Sequence, residues 1–178
     1  MCGRYRIEDT LRQVLLDLGF EAKRLPVGEI YPTNAAPLLT TRGLQPAVWG
    51  FPKWDQKGVI INARAETVQQ KKLFQPALEQ GRCVVPTSGF YEWDAQKQKT
   101  LFELPDEPGL LLAGLLRVYQ GVPHYVILTT AANESVAPVH NRMPVVLRAQ
   151  EWQDWVQDRA KAYRLLHRTP PALISYPA

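Results

Sequence analysis

The sequence predicts a mixed α+β fold, a single domain with a sheet at its centre, and three observations lead there. Apolar runs of strand length recur along the chain, at 58–61, 82–85, 100–104, 110–119 and 122–130. Helical periodicity is confined to 11–18, 67–80 and 151–168. Fifteen prolines, five tryptophans and seven tyrosines suit short strands and structured loops better than a helical bundle. A chain of 178 residues with a 46% hydrophobic share can bury a proper core, so residues 1–178 read as one domain with an irregular tail at 169–178.

Ile7-Glu8-Asp9-Thr10 reads as a helix start with Asp9 or Thr10 as cap. Leu11, Val14, Leu15 and Leu18 then share one face before Gly19 ends the turn. Residues 25–43 hold three prolines and read as irregular backbone, with a short strand at Leu38-Leu39-Thr40. From Pro46 to Trp54, aromatics and prolines alternate too densely for a regular element; such a loop either plugs a core or exposes flat apolar faces. Gly58 to Glu66 begins as a strand and ends polar, so Asn62, Arg64 and Glu66 share one face, as a solvated edge or the wall of a pocket. Thr67 to Gln80 reads as helix interrupted at Pro76.

Arg82 to Trp93 reads as two strands broken at Pro86-Thr87-Ser88-Gly89. A meander follows: 100–104, then 110–119, a turn at Gln120-Gly121, and 122–130, with the apolar strands at the sheet centre. Cys83 and His124 are read as ordinary strand residues of this sheet. Asn133 to Ala137 reads as a short capped helix, Val145 to Leu147 as a strand, and Glu151 to Arg168 as a helix burying Trp152, Trp155 and Val156.

A net charge of +4 permits nucleic-acid binding without requiring it. Two cysteines make no disulfide framework, and the charged first twenty residues lack the apolar centre of a signal peptide. The longest apolar run, 110–116, is far short of the ~20 residues that span a bilayer. The expectation is a monomer in a reducing, cytoplasmic location, with free thiols and no membrane partner. No ligand-spaced cysteines or histidines and no phosphate-cradling glycine loop occur, so neither metal nor cofactor is expected.

The chemistry centres on Met1-Cys2-Gly3-Arg4. Removal of Met1 would leave Cys2 with its thiol and α-amine on adjacent carbons, a pair able to close a five-membered thiazolidine on one aldehyde. Ordinary pKa values of about 7.7–8.0 for the amine and about 8.5 for the thiol leave both partly reactive near neutrality. Glu92 stands between Tyr91 and Trp93. It either points into water or is crowded by aromatics, and in the second case desolvation raises its pKa toward the range of a general acid or base. His140 sits in a loop bracketed by Pro138 and Pro144, a better catalytic candidate than His124 or His167. Trp49 and Trp54, near Lys53, have the composition of a single-strand stacking platform, or else are core.

Four separated segments carry a resemblance. They are Met1 to Arg4, Asn62-Ala63-Arg64-Ala65-Glu66-Thr67, Arg82 to Pro86 with Gly89-Phe90-Tyr91-Glu92-Trp93, and His140-Asn141-Arg142-Met143-Pro144. Together they resemble the SRAP (SOS-response-associated peptidase) family, the abasic-site processing proteins, over residues 1 to about 156. The resemblance implies a curved, mostly antiparallel sheet or barrel flanked by short helices, with a basic channel for single-stranded DNA. It implies loss of Met1 and a thiazolidine cross-link between Cys2 and the ring-opened abasic deoxyribose. Asn62 would hold the lesion, Glu92 would shuttle protons, and His140 would assist sugar opening and support reversal or strand scission. Gly3, Arg4, Arg64, Lys72 and Arg142 would contact the DNA, with Trp49 and Trp54 beside unstacked bases.

The sequence departs from the family's pattern in three places. Lys71 and Lys72 stand where an arginine is frequent, giving a point charge for a fork. Thr87-Ser88 replaces a more usual Ala-Asp, leaving open what supports Glu92, and the C-terminal segment matches poorly. Three alternatives remain open: an N-terminal-nucleophile amidohydrolase, a cysteine peptidase built from Cys2 and His140, and a DNA-binding module in which Cys2 is incidental.

Overall fold

The two longest apolar runs pair as the hairpin on which the fold is built, and the computed structural model describes residues 2–55 and 57–178 around it. In chain order the first half comprises β1 (Tyr5–Ile7), α1 (Leu11–Asp17), β2 (Gly28–Ile30), β3 (Ala35–Thr40), β4 (Gly43–Trp49), β5 (Phe51–Pro52), β6 (Val59–Ile60), β7 (Asn62–Arg64) and α2 (Gln75–Gln80). The second half comprises β8 (Arg82–Thr87), β9 (Gly89–Trp93), β10 (Lys99–Glu103), β11 (Leu110–Tyr119), β12 (Val122–Ala131), β13 (Arg142–Pro144), β14 (Val146–Leu147), α3 (Trp152–Gln157), α4 (Arg159–His167) and β15 (Ile174–Pro177).

Strands β12, β4, β3, β8 and β11 pair in that order, and β11 pairs back onto β12, which closes a five-stranded barrel. Closure leaves those strands no free edges. Only the β12–β4 contact within the barrel is parallel. At the β11–β12 turn, Gln120 and Gly121 both have positive φ, 50° and 81°, as a type I′ hairpin turn requires. A second, antiparallel sheet runs β15-β10-β9-β1-β2. The chain passes from barrel to second sheet at Ser88, between β8 and β9. Gly89 is needed there, because a Cβ would come within 2.8 Å of Leu101 Cδ1 and 3.0 Å of Phe102 O. The fold is therefore α+β, with a curved, mostly antiparallel sheet and short helices.

Several local expectations are corrected. Pro46 to Trp49 belongs to β4 and is not irregular: Pro37 lies opposite Pro46, so the two residues without an N–H share one rung and the others stay intact. Gly50, at φ 114°, then bends the chain into the β5–β6 hairpin. Residues 25–43 hold β2 and a longer β3 than the three residues expected. Pro76 starts α2 and does not interrupt a longer helix, since proline's missing N–H costs nothing in a first turn. Residues 134–139 are turns, with Asn133 Oδ1 accepting from Ser135 N at 3.1 Å. The expected 151–168 helix breaks at Asp158, which turns extended and caps α4 by accepting from Lys161 N at 2.9 Å. The tail contains β15, paired with β10 from Thr100 to Glu103.

Leu38, Leu39, Val84, Leu112, Val126 and Ile127 of the barrel strands are all buried, on the two faces of those strands, in one hydrophobic core. Arg82, buried at one end, donates to Trp155 O at 2.6 Å and Leu78 O at 2.8 Å, tying α3 and α2 to β8. A buried arginine is tolerated because these carbonyls satisfy its donors.

Candidate active site

Cys2 lies just before β1, at 0% exposure. The sulfur is packed inside, with Sγ 3.9 Å from Arg4 O. Burial pushes the thiol well above its ordinary value, and the negative charge of Glu92 pushes the same way. Glu92, on β9, is only 2% exposed, so it does not point into water. Burial raises its carboxyl, while the positive charge of His140 acts in the opposite sense. Cys2, Glu92 and His140 thus form one electrostatic group, although they come from the chain start, the second sheet and the loop before β13.

Thr87 and Ser88, which stand where Ala-Asp is more usual, bond to the backbone of Arg6, Glu8 and Gly89. Thr87 Oγ1 donates to Arg6 O at 2.7 Å and accepts from Gly89 N at 3.2 Å, and Ser88 Oγ accepts from Glu8 N at 2.9 Å. These bonds tie β1, which follows Cys2 in the chain, to the start of β9, which carries Glu92.

Asn62 opens β7 and pairs with Ile127 of β12; its Nδ2 donates to Ile127 O at 3.4 Å. Its Oδ1 is buried and accepts no hydrogen bond from the described residues. A buried amide oxygen in that state is costly until a donor arrives. His140 N donates to Val136 O at 3.0 Å, and its Nδ1 lies 3.0 Å from Arg142 N and 3.1 Å from Arg142 O.

The expected DNA-contacting residues divide. Trp54, at 96% exposure on the β5–β6 hairpin, presents an open indole face. Arg64 and Lys72 are exposed, and Gly3 is half-buried. Arg4 is held over the rings of Tyr31, at 4.2 Å, and Trp93, at 5.2 Å, and is ion-paired with Glu29 at 3.1 Å. Arg142 donates to both carboxylate oxygens of Glu66. Trp49 is a correction. It is completely buried, its Nε1 donating to Ile61 O at 3.1 Å and its ring packed 5.2 Å from Tyr5 and 6.3 Å from Tyr125, so no base can stack on it.

Two features of this region escape a reading of the sequence. Tyr5 and Tyr125 share a buried hydroxyl–hydroxyl hydrogen bond of 2.6 Å, and Glu66 engages Arg142; both pairs join residues far apart in the chain. Among the described residues, no group of three or more His, Cys, Asp or Glu is placed to hold a metal ion.

A buried second-position cysteine electrostatically linked to a buried carboxyl, which in turn feels an imidazole, on a closed barrel with a companion sheet, defines a particular class of protein. The sequence profile of the SOS response associated peptidase (SRAP) family matches residues 1–177, and the chain belongs to that family. The match extends past residue 156 and takes in the C-terminal segment expected to match poorly. Among its relatives, abasic site processing protein YoqW of Bacillus subtilis is 33% identical over 187 residues, covering 89% of this chain and 81% of that one. Abasic site processing protein YedK of Escherichia coli is 28% identical, covering 88% of this chain and 80% of its own. A solved protein from Bacteroides thetaiotaomicron superposes with a TM-score of 0.86 at 23% identity, covering 99% of this chain and 91% of that one; this likeness is one of fold alone. A solved phage-related protein of Bordetella bronchiseptica superposes with a TM-score of 0.81 at 26% identity, over 99% and 94% of the two chains.

Proposed function

We propose that the chain processes abasic sites by covalent capture: after Met1 is removed, Cys2 closes a thiazolidine on the ring-opened deoxyribose of a lesion in single-stranded DNA. The observation that carries this reading is a buried Cys2 whose thiol feels the charge of Glu92, itself a buried carboxyl held above its ordinary pKa. The names of the relatives supply the lesion.

The steps balance without metal or redox chemistry. The α-amine of Cys2 attacks the aldehyde carbon, forming a C–N bond and a carbinolamine. Protonation of its hydroxyl by Glu92 releases water and leaves an iminium, the nitrogen keeping its proton. The Cys2 thiol then returns a proton to the Glu92 carboxylate and gives its sulfur to the iminium carbon, whose C=N electron pair passes to nitrogen and closes the ring. One water is lost overall. Glu92 acts first as acid and then as base, a task for which a raised pKa suits it. Asn62 Oδ1 accepts from the lesion or the freed amine, and His140 assists opening of the sugar.

Trp54 offers a stacking surface, and Arg64 and Lys72 offer charge to phosphates. A single strand lets a baseless sugar reach the site without melting a duplex. A cysteine-peptidase reading fares worse, because that chemistry needs a thiol pKa lowered toward the thiolate, whereas here burial raises it. Mixing the Met1-free protein with single-stranded DNA bearing one abasic site tests the proposal. A heat-stable adduct is expected, and its absence at low salt would refute covalent capture.

A further inference from the structure

We infer that Arg142 acts on the reaction through His140, as a positioning residue whose main chain seats the imidazole, and that Glu66 is the anchor holding it there. This rests on the aldehyde-capture reading above, since it assigns residues to the same site.

Arg142 opens β13 and pairs with Ala131 of β12. A phosphate would need the bidentate face of its guanidinium, and a carboxylate of the chain itself fills that face. Nη1 donates to Glu66 Oε1 at 2.6 Å, and Nη2 donates to Glu66 Oε2 at 2.9 Å and to Thr129 O at 2.8 Å. The Arg142 side chain is only 14% exposed, and its hydrogen bonds hold the Glu66 carboxyl below the usual carboxylate range.

The clamp spans three strands, with β12 lying between β7 and β13 and Thr129 facing Arg64 on one side and Pro144 on the other. β7 lies parallel to β12, with Arg64 opposite Thr129, and delivers Glu66 two residues later; β13 pairs further along the same strand. Releasing the guanidinium therefore frees the first residue of β13, whose backbone carries the seat of His140.

That seat accommodates both charge states of the ring. Nδ1 of a neutral imidazole accepts from Arg142 N–H across 3.0 Å, and Nδ1–H of an imidazolium donates to Arg142 O across 3.1 Å. The ring can take or release a proton without turning, which a proton-transfer group requires. In the neutral state the seat leaves the proton on Nε2.

The test compares the Met1-free protein with Glu66→Gln and Glu66→Ala, which should keep the fold because Glu66 is exposed. The probe is 2-deoxyribose, which must open its ring to be captured and has no phosphate. Capture should slow by roughly tenfold or more in Glu66→Ala, as expected when a reacting group loses its placement. Glu66→Gln, which retains an acceptor for the guanidinium, should fall in between. Unchanged capture, with tighter binding of single-stranded DNA and a steeper salt dependence, would overturn the inference and make Glu66 a mere competitor of phosphate. The ring ¹⁵N resonances of His140 give a second readout independent of turnover. The intact protein should hold the neutral ring as the Nε2–H tautomer, and Glu66→Ala should mix the two tautomers. Identical ring spectra would overturn the inference. Should no form capture 2-deoxyribose, aldehyde capture itself fails and the ring spectra alone decide the role of Arg142.

Discussion

Replacing Glu92 with glutamine should stabilise the protein while disabling it. The native carboxyl is 2% exposed and held above its ordinary value by desolvation, so between its unfolded and native pKa values the folded chain binds more protons than the unfolded one. Stability contributed by the neutral carboxyl is therefore fully present below the unfolded value, falls as pH rises through this interval, and is gone above the native value. Each unit of elevation costs about 1.4 kcal/mol at a pH above both. Glutamine is neutral throughout and escapes that loss. Urea denaturation of the Met1-free protein and Glu92→Gln, from about pH 4 to about pH 8, should show the variant gaining on the parent as pH rises. Cross-linking by the variant should fall on the order of 10²–10⁴-fold, the usual contribution of a positioned acid or base. Parallel stability curves would refute the raised carboxyl, and normal cross-linking would remove Glu92 from the mechanism.

Trp49, on β4, and Trp54, on the β5–β6 hairpin, should behave in opposite ways. Trp49→Ala empties a core position and should cost about 3–5 kcal/mol in denaturant unfolding. Trp54→Ala should change stability by less than about 0.5 kcal/mol yet weaken single-strand binding by about 1–3 kcal/mol in a fluorescence titration. Tyr125→Phe leaves the buried Tyr5 hydroxyl without its partner and should cost about 1–3 kcal/mol of stability. Affinity for undamaged single strands should fall linearly with log salt, and Lys72→Ala should reduce that slope by about 0.7.

The legible parts of the fold were those fixed by local pattern. The run 110–119, the Gln120-Gly121 turn and the break near Ser88 each announce themselves over a few residues. Missed elements depend on partners far away in the chain. β15 is a strand because β10 offers an edge, and β4 tolerates Pro46 because Pro37 faces it. The site divides in the same way. Glu92 was found because a carboxylate amid Phe90, Tyr91 and Trp93 has few ways to stay hydrated. Nothing local distinguishes Trp49 from Trp54, and only the closed barrel buries one while the hairpin exposes the other. The Glu66–Arg142 ion pair, 76 residues apart in sequence, is visible only in the fold, where β7 and β13 flank β12 on its two sides.

Intact-mass measurement after mixing with single-stranded abasic DNA tests the central claim most directly. The Met1-free protein should gain the mass of the strand less one water, with Cys2→Ala giving no heat-stable adduct and Met1-retaining protein none either. An adduct that forms equally well with Cys2 replaced, or with Met1 still in place, would contradict capture by the aminothiol.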